Sequence, residues 1–571
     1  MNEGEEKIVW ALAGAAVAVL AALWATGALA TAVLGGGWDP PAPAELPATA
    51  VRLLGHLGDP AAAWPAGRRR AVPDAPAFWL CGVLVAAVMA AAAFGLARAA
   101  AALGLELPGG GGRRAPSARW ARAADLRSLR VRGPRPGRLT LGRHGRGLVA
   151  AGERQSVIAI APTQSHKTTG LAIPALLEWE GPVLATSVKS DLLLDTLARR
   201  DSMGEVMVFD PARTTGLPGA RATPLWGAGT WRGAMRVAHW LAAGARTGSA
   251  AGLQDADFWF TTAEKLLAPL LLAAAAGGET MAAVVRWLDE GPETSEREVL
   301  GNLRLADVEE AERAYLATQN REERQRSSVY TTAEMIVGAF ADPIVVAETS
   351  GADYSPAALL DGGANTLYLC GPLHEQERLR PVFSMIVQEL IAVIYETVAT
   401  TGRPLDPPLL LLLDEAANIA PIPNLDEIAS TGAGQGVQLL SVFQDLAQIN
   451  ARYGRRAATI VNNHRAKLIG SGISDPETLR WASQVIGSGE FEQRSRTAGE
   501  KGRRSTTLGD TYRELAPAGL LRESFLNAAV LVYGSLPPAK IRLRPWFQES
   551  DLRKLRDAGD AAESQSPEVG R

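Results

Sequence analysis

Apolar runs divide this chain into two territories: long uncharged stretches near its start, and strand-length runs beyond residue 150. From Ile8 to Leu34 no charged residue occurs, and a second uncharged run extends from Ala75 to Ala97. Each exceeds the roughly 20 residues that a helix needs to cross a hydrocarbon core. Two membrane spans, 8–34 and 75–97, are therefore expected, forming a hairpin anchor over residues 1–104. A signal peptide is the rival for the first run, but it is long for an h-region and its front is acidic (Glu3, Glu5, Glu6). Two buried helices of a soluble domain are the remaining alternative.

Farther along, the apolar runs shorten and change character. Ser156-Val-Ile-Ala-Ile160 is β-branched, Leu409 to Leu413 is five consecutive leucines, and Val437 to Phe443 is again apolar. Continuous runs of this length suit central strands of a parallel sheet covered on both faces. Between the first two, helical patterning dominates, over Phe258–Ala276, Met281–Leu288 and Glu296–Leu316. At 571 residues the chain is too long for one compact core, so about two to four structural units are expected.

Charge adds an orientation. The net charge of −3 excludes neither a nucleic-acid nor an acidic partner. Arginines cluster after the second span, at Arg98, Arg113, Arg114, Arg119 and Arg122, whereas the loop from Gly35 to Asp74 is balanced. The positive-inside rule places the large C-terminal portion in the cytoplasm. Pro108 to Gly112 reads as a flexible break, and Arg113 to Arg146 carries many arginines against a single acid, Asp125. Contact with an anionic leaflet and contact with nucleic-acid phosphate both fit that segment, and the sequence leaves the two open. Two cysteines, Cys81 and Cys370, imply no disulfide framework. Six histidines and two cysteines hold no metal-ligand spacing, and His464 reads as a loop or strand-end residue.

Chemistry enters after the first strand. Ala161-Pro-Thr-Gln-Ser-His-Lys-Thr-Thr169 follows it and a helix is expected next. Strand, tight loop ending in Lys-Thr, then helix is the architecture of a phosphate-binding loop. Backbone N–H groups of Thr163, Gln164, Ser165, His166, Lys167, Thr168 and Thr169 would cradle phosphate. Lys167 would reach the outer phosphates and the Thr168 hydroxyl would hold Mg²⁺. The strict glycine pattern is not met, because Ala161 and His166 stand where glycines are usual. Histidine tolerates the positive φ of that position less readily. The leucine run ends in Asp414-Glu415, at the strand tip where α/β sheets bind ligands. There Asp414 would hold Mg²⁺ through water and Glu415 would serve as general base. Gln444, at the tip of the next strand, would sense the γ-phosphate or orient water. A core strand with an exposed acidic end is the plain alternative for the first tip, and a strand-end polar residue for the second.

Leu413-Asp-Glu-Ala-Ala-Asn-Ile-Ala-Pro421, Leu425-Asp-Glu-Ile-Ala-Ser-Thr-Gly432, Gln435-Gly-Val-Gln438 and Phe443-Gln-Asp-Leu-Ala-Gln448 together resemble the signature of TraG/TraD-type coupling proteins of type IV secretion. Ser187-Val-Lys-Ser-Asp-Leu192 and Val208-Phe-Asp-Pro211 support the likeness. The resemblance implies an α/β, RecA-like P-loop NTPase domain with an all-α insertion, preceded by the two-helix transmembrane anchor. The expected division is a basic linker over 105–150, the nucleotide domain over 151–230 and 350–548, the insertion over 231–349, and a disordered tail over 549–571. It also implies ATP and Mg²⁺ as cofactors, and a homo-hexameric ring in the bacterial inner membrane. Single-stranded, relaxase-bound DNA and type IV secretion channel proteins are the implied partners, besides membrane lipid. Pumping DNA or nucleoprotein into the channel is the expected activity. An ATP-binding docking platform with little hydrolysis, and a motor for protein effectors only, are the alternatives. Relatives often carry an arginine finger where Ala433 stands here, and Arg452, Arg455 or Arg465 of a neighbouring subunit are the candidates to replace it. The polar, basic stretch Gly487 to Thr507 lacks apolar periodicity and reads as a mobile loop that could line the channel.

Overall fold

The computed structural model describes residues 3–35, 37–38, 40, 42–102, 118–188, 190–246, 254–418, 422–498, 504–523 and 527–563. The chain divides into two compact units, Met1–Pro116 and Ser117–Arg571.

In the first unit two long helices, Glu3–Leu34 and Ala75–Ala102, pack along each other. The connecting loop folds back as the short helices Leu46–Gly55 and Pro60–Ala63. Its side chains Leu53, Ala63, Trp64 and Val72 join Ala30, Phe78 and Cys81 in a small core. Trp64 meets Phe78 edge-on at 5.3 Å between ring centroids. Outside that core the second long helix leaves Leu80, Val83, Leu84, Val88 and Phe94 exposed. The predicted break at Pro108–Gly112 lies outside the described residues.

The second unit is built on one mixed sheet. Its strands are β1 (Arg130–Val131), β2 (Thr140–His144), β3 (Gly147–Ala150), β4 (Val157–Ile160), β5 (Val183–Ser187), β6 (Val206–Phe209), β7 (Thr366–Cys370), β8 (Leu409–Leu413), β9 (Val437–Phe443), β10 (Ala466–Gly470), β13 (Ala528–Tyr533) and β14 (Ala539–Arg542). A separate ribbon pairs β11 (Ser488–Ala498) with β12 (Arg504–Glu514). The main sheet runs β1-β3-β2-β14-β13-β10-β4-β9-β8-β5-β7-β6. The seven strands from β10 to β6 are parallel, and those from β13 outward are antiparallel.

The leucine run explains why β8 is central. Alternate side chains of a strand point to opposite faces. Leu409, Leu411 and Leu413 enter one core, while Leu410 and Leu412 enter the other. A strand apolar at every position can only sit where both faces are covered. Between β6 and β7 the chain is helical, with Trp231–Ala245, Gln254–Gly277, Met281–Glu290, Pro292–Ala306, Glu309–Gln319 and Glu323–Val337 in succession. These helices share the core that contains Leu409 and Leu411.

Among the described residues four helices are long and apolar enough to cross a membrane: those spanning Val17–Leu34, Ala75–Gly95, Asp257–Gly277 and Gln376–Thr401. The last two are mostly buried within the second unit, and the first two mostly exposed. Hydropathy alone therefore does not separate core from candidate span here.

Two expectations are corrected. The stretch Gly487–Thr507 is not an irregular loop: most of it belongs to the β11–β12 ribbon, with register Ser488↔Glu514 through Ala498↔Arg504. An antiparallel ribbon bonds alternate residues across its two strands and leaves its outward backbone groups to water, so the ladder forms without apolar alternation. Lys501 and Arg503 lie outside the described residues. The tail does not begin at 549, since Ser550–Glu563 is a helix that buries Leu552; residues 564–571 lie outside the described residues.

Candidate functional site

β4 ends at Ile160 between β10 and β9, and the loop from Ala161 turns back at the C-terminal edge of the parallel strands. Ala161 N–H still donates to Phe443 O at 3.1 Å, so the loop leaves in line with β9. Gly470 of β10 lets it pass closely, because a Cβ there would lie 2.5 Å from the Ala161 Cβ. Thr163 and Gln164 are exposed, Ser165 is buried, and His166 is half-buried. Gln164 and His166 both hold φ of 61°, in the left-handed region. The conformation that glycine usually supplies is thus kept without glycine, at a cost of about 1–2 kcal/mol per residue.

Local bonds sustain that shape. Ser165 Oγ donates to Pro162 O at 2.7 Å, and the His166 Nδ1 lies 3.0 Å from Thr169 Oγ1. Lys167 is buried, with its Nζ donating to Ala161 O at 3.3 Å across the loop. A widened helical turn, Thr168–Ala172, precedes the helix Ile173–Glu178. Its cause is visible in Pro174, which has no N–H to offer the Gly170 carbonyl. That carbonyl instead accepts from the Arg544 N–H at 3.1 Å.

Across from the loop, β8 ends in Asp414. Its Oδ2 accepts from Thr168 Oγ1 at 3.0 Å, and its backbone carbonyl accepts from Thr186 Oγ1 at 3.1 Å. Its other carboxylate oxygen, Oδ1, is buried without a hydrogen-bond partner. Burial pushes the Asp414 carboxyl up to about 6, against the pull of Lys167 and the Thr168 hydroxyl. Glu415 follows at φ 55°, half-buried, with Oε2 accepting from Asn418 Nδ2 at 3.3 Å. Gln444, at the tip of β9, donates its backbone N–H to Gln448 Oε1 at 3.1 Å. Gln448 Nε2 in turn donates to Asn418 Oδ1 at 3.4 Å. One hydrogen-bonded series thus runs from Glu415 through Asn418 and Gln448 to the Gln444 backbone.

The donor set fits a hard cation. Among the described residues no group of three or more His, Cys, Asp or Glu could hold a metal ion. One hydroxyl and one carboxylate with a spare oxygen are instead what Mg²⁺ uses when phosphate and water complete its shell.

All the expected site residues therefore gather at one edge of the sheet. The candidate arginines do not join them within the chain. Arg465 precedes β10, at the opposite end of that strand, with its guanidinium 5.9 Å from the Tyr533 ring. Arg452 and Arg455 close the helix Leu446–Tyr453 and the turn after it. Ala433 lies in the helix Leu425–Gln435. In the basic segment, Arg119 is paired with Asp125 and Arg143 with Glu549, so these two are held within the chain. Sequence reading overlooked Asn418 and Gln448 as connectors, although their i+3 and i+4 spacing from Glu415 and Gln444 was visible. It also overlooked Asp191, which is near enough to raise Asp414 further.

A lysine-threonine loop between a buried parallel strand and a helix, facing a carboxylate at a neighbouring strand tip, defines a RecA-like P-loop NTPase fold with helical additions. Within that class, the chain belongs to the type IV secretory system conjugative DNA transfer family, whose sequence model matches residues 119–569. It is 23% identical over 487 residues to Protein VirD4 of Rhizobium rhizogenes, covering 77% of this chain and 66% of that protein. It is 26% identical over 337 residues to conjugal transfer protein TraG of Escherichia coli, covering 54% of this chain and 52% of that protein. The chain thus spans about two thirds or less of these relatives' own length. Among solved structures, the conjugative coupling protein TrwBdeltaN70 superposes with a TM-score of 0.57 at 18% identity, over 76% of this chain and 95% of that one. TrwB in complex with ADP and Mg²⁺ gives 0.58 at 17% identity, over 75% and 94%.

Proposed function

We propose that this protein is a membrane-anchored, ATP-driven coupling protein that recruits DNA, or a relaxase-bound single strand, and pumps it into a type IV secretion channel. The observation that carries the reading is the pairing of Thr168 with Asp414, whose second carboxylate oxygen is buried and unpartnered, in a chain of the conjugative DNA transfer family. A buried orphan oxygen costs about 1–3 kcal/mol unless something completes it. A cation brought with nucleotide phosphate is the fitting completion.

In this reading the backbone N–H groups from Thr163 to Thr169 hold the phosphates and Lys167 neutralises the outer ones. Thr168, and Asp414 through water, would hold Mg²⁺, which would supply charge neutralisation to the phosphates. Glu415 accepts a proton from the water whose oxygen attacks the γ-phosphorus, and ADP departs with the bridging oxygen. Asn418 holds one Glu415 oxygen and leaves the other for that water. Gln444 reports the γ-phosphate to the helix it begins. The exposed apolar face of Ala75–Gly95 and the helix Glu3–Leu34 make the anchor in the bacterial inner membrane, with the C-terminal unit cytoplasmic. A homo-hexameric ring is the assembly that this family reading favours, with channel proteins and lipid as neighbours.

A second reading has its own observation. His166 and Gln164 hold left-handed backbone without glycine, and Ala433 offers no finger. An ATP-binding docking platform with little turnover would tolerate both. Steady-state ATP hydrolysis by the full chain in lipid nanodiscs, with and without single-stranded DNA, separates the two. DNA-stimulated turnover that is lost in Lys167→Ala and Glu415→Gln supports the motor. Nucleotide binding without turnover, in an assembled ring, rejects it in favour of the platform.

A further inference from the structure

Beside the phosphate loop stands an aromatic side chain with no part in the chemistry above. After β14 the chain crosses the helix that begins at the loop. Gly170 permits the crossing, since a Cβ there would meet the Leu543 Cβ at 3.1 Å and the Arg544 nitrogen at 3.5 Å. The carbonyl that Pro174 leaves free binds the Arg544 N–H, which pins the crossing strand to the loop's own helix. The Arg544 side chain is buried and donates to Glu178 Oε1 at 2.6 Å and Asp551 Oδ2 at 2.7 Å. Glu178 closes the same helix, and Asp551 opens the C-terminal one.

This clamp fixes the short turn Trp546–Gln548. Trp546 lies under the Arg556 guanidinium at 4.9 Å and meets Phe547 edge-on at 5.9 Å. Phe547 itself is 43% exposed, and its ring centroid is 6.0 Å from that of His166. His166 is held in turn by Thr169. A large aromatic ring is thus locked by its neighbours, bare on its outer side, and placed at the residue before Lys167. Aromatic side chains in such positions stack well against other flat rings.

We propose that Phe547 is the nucleobase platform of the site: the base of a purine nucleotide whose phosphates lie in the Ala161–Thr169 loop stacks on the exposed face of Phe547, with His166 as the wall behind it. The proposal rests on the reading of that loop as a nucleotide site. Stacking on an aromatic ring is tolerant of base identity but grows with ring area, so purines are favoured over pyrimidines.

The test compares two probes on the full chain in detergent micelles, by titration calorimetry: ATP with Mg²⁺, and inorganic tripolyphosphate with Mg²⁺. Phe547→Ala is expected to weaken ATP roughly tenfold, the usual loss when a stacked aromatic is removed, and to leave tripolyphosphate unchanged. Phe547→Tyr is expected to retain wild-type affinity for ATP. Phe547→Ala with unaltered ATP affinity overturns the platform. Equal weakening of both probes also overturns it, because the ring would then only support the loop. If wild type binds tripolyphosphate no more weakly than ATP, no base is being held and the proposal fails. If neither probe binds wild type, the nucleotide reading of the loop fails first and the platform falls with it.

Discussion

Both edges of the parallel sheet bury titratable side chains, and Arg200 and His464 at one edge are satisfied where Asp414 at the other is not. At the N-terminal edge, Arg200 is completely buried without a carboxylate. It donates to the carbonyls of Trp179, Gly181 and Ala364 and to Thr366 Oγ1, clasping the entries to β5 and β7. His464, also completely buried, places Nδ1 2.7 Å from Ile460 O and Nε2 3.1 Å from Ser441 Oγ. Neither of these two side chains leaves a nitrogen without a partner, although Trp179 Nε1, Gln438 Oε1 and Arg154 Nε at the same edge are buried unpartnered, and Arg154 holds φ of 55°. At the C-terminal edge Asp414 keeps an unpartnered oxygen, and three non-glycine residues, Gln164, His166 and Glu415, hold positive φ. Strain and orphaned groups persist only where surrounding structure or a ligand sustains them. The difference is one of charge: among the described residues Asp414 Oδ1 is the one carboxylate oxygen buried without a partner, and it stands at the edge where a cation could complete it.

The widest separation between the edges is expected from Asp414→Ala. Removing the cation's carboxylate should lower ATP turnover roughly 10²–10³-fold, the scale of losing one preorganised electrostatic group. The apoprotein should melt no lower than wild type, because an incompletely satisfied, desolvated carboxylate leaves with the substitution. A large fall in melting temperature would make Asp414 structural and erase the contrast. Arg200→Met should do the reverse. It strands several buried carbonyls, each worth about 1–3 kcal/mol, so a loss of about 3–5 kcal/mol is expected in denaturant unfolding. ATP affinity of the folded fraction should be unchanged; weakened binding would mean that the N-terminal edge also serves the site.

The N-terminal edge also carries a pH signature. Burial pulls the His464 imidazole down to about 4 from its ordinary 6.5. Its folded pKa is depressed, so the stability it contributes is fully present above about 6.5 and is lost as pH falls toward 4. The size is about 3 kcal/mol across that window. Thermal melts at pH 7 and pH 4.5 should differ by less in His464→Gln than in wild type. An identical pH dependence in the two proteins would show that His464 does not carry the acid sensitivity.

Much of this contrast was legible before folding and some was not. Leu409–Leu413 announced a strand buried on both faces, and the acids after it announced the edge where a ligand would sit. Lys167-Thr168 pointed at the same edge from another strand. The positive φ at residue 166 followed from the loop pattern even though glycine was missing. The ribbon β11–β12 was illegible because it needs no apolar face, and its strands read as polar chain. The helix Ser550–Glu563 was hidden for a related reason. It is polar except for residues such as Leu552 and Leu555, and its place is fixed by partners far back in sequence, Glu178 among them through Arg544. Arg200 carried no signal either, since its acceptors are backbone carbonyls and no sequence motif records them.

The smallest predicted effect concerns the strain itself, and it divides two residues that share one backbone angle. Gln164 is exposed and makes no side-chain hydrogen bond among the described residues, whereas His166 is tied to Thr169. Gln164→Gly removes a left-handed strain of about 1–2 kcal/mol and adds an unfolded-state entropy cost of about 0.5–1 kcal/mol. A net gain of about 0.5 kcal/mol should remain, which a careful denaturant melt resolves. His166→Gly gains the same relief but gives up a hydrogen bond of about 1 kcal/mol, so its stability should stay level or fall slightly. Equal stabilisation by both substitutions would mean that the contact between His166 and Thr169 contributes nothing. Histidine would then be a strained stand-in for glycine and not a residue that holds the loop in shape.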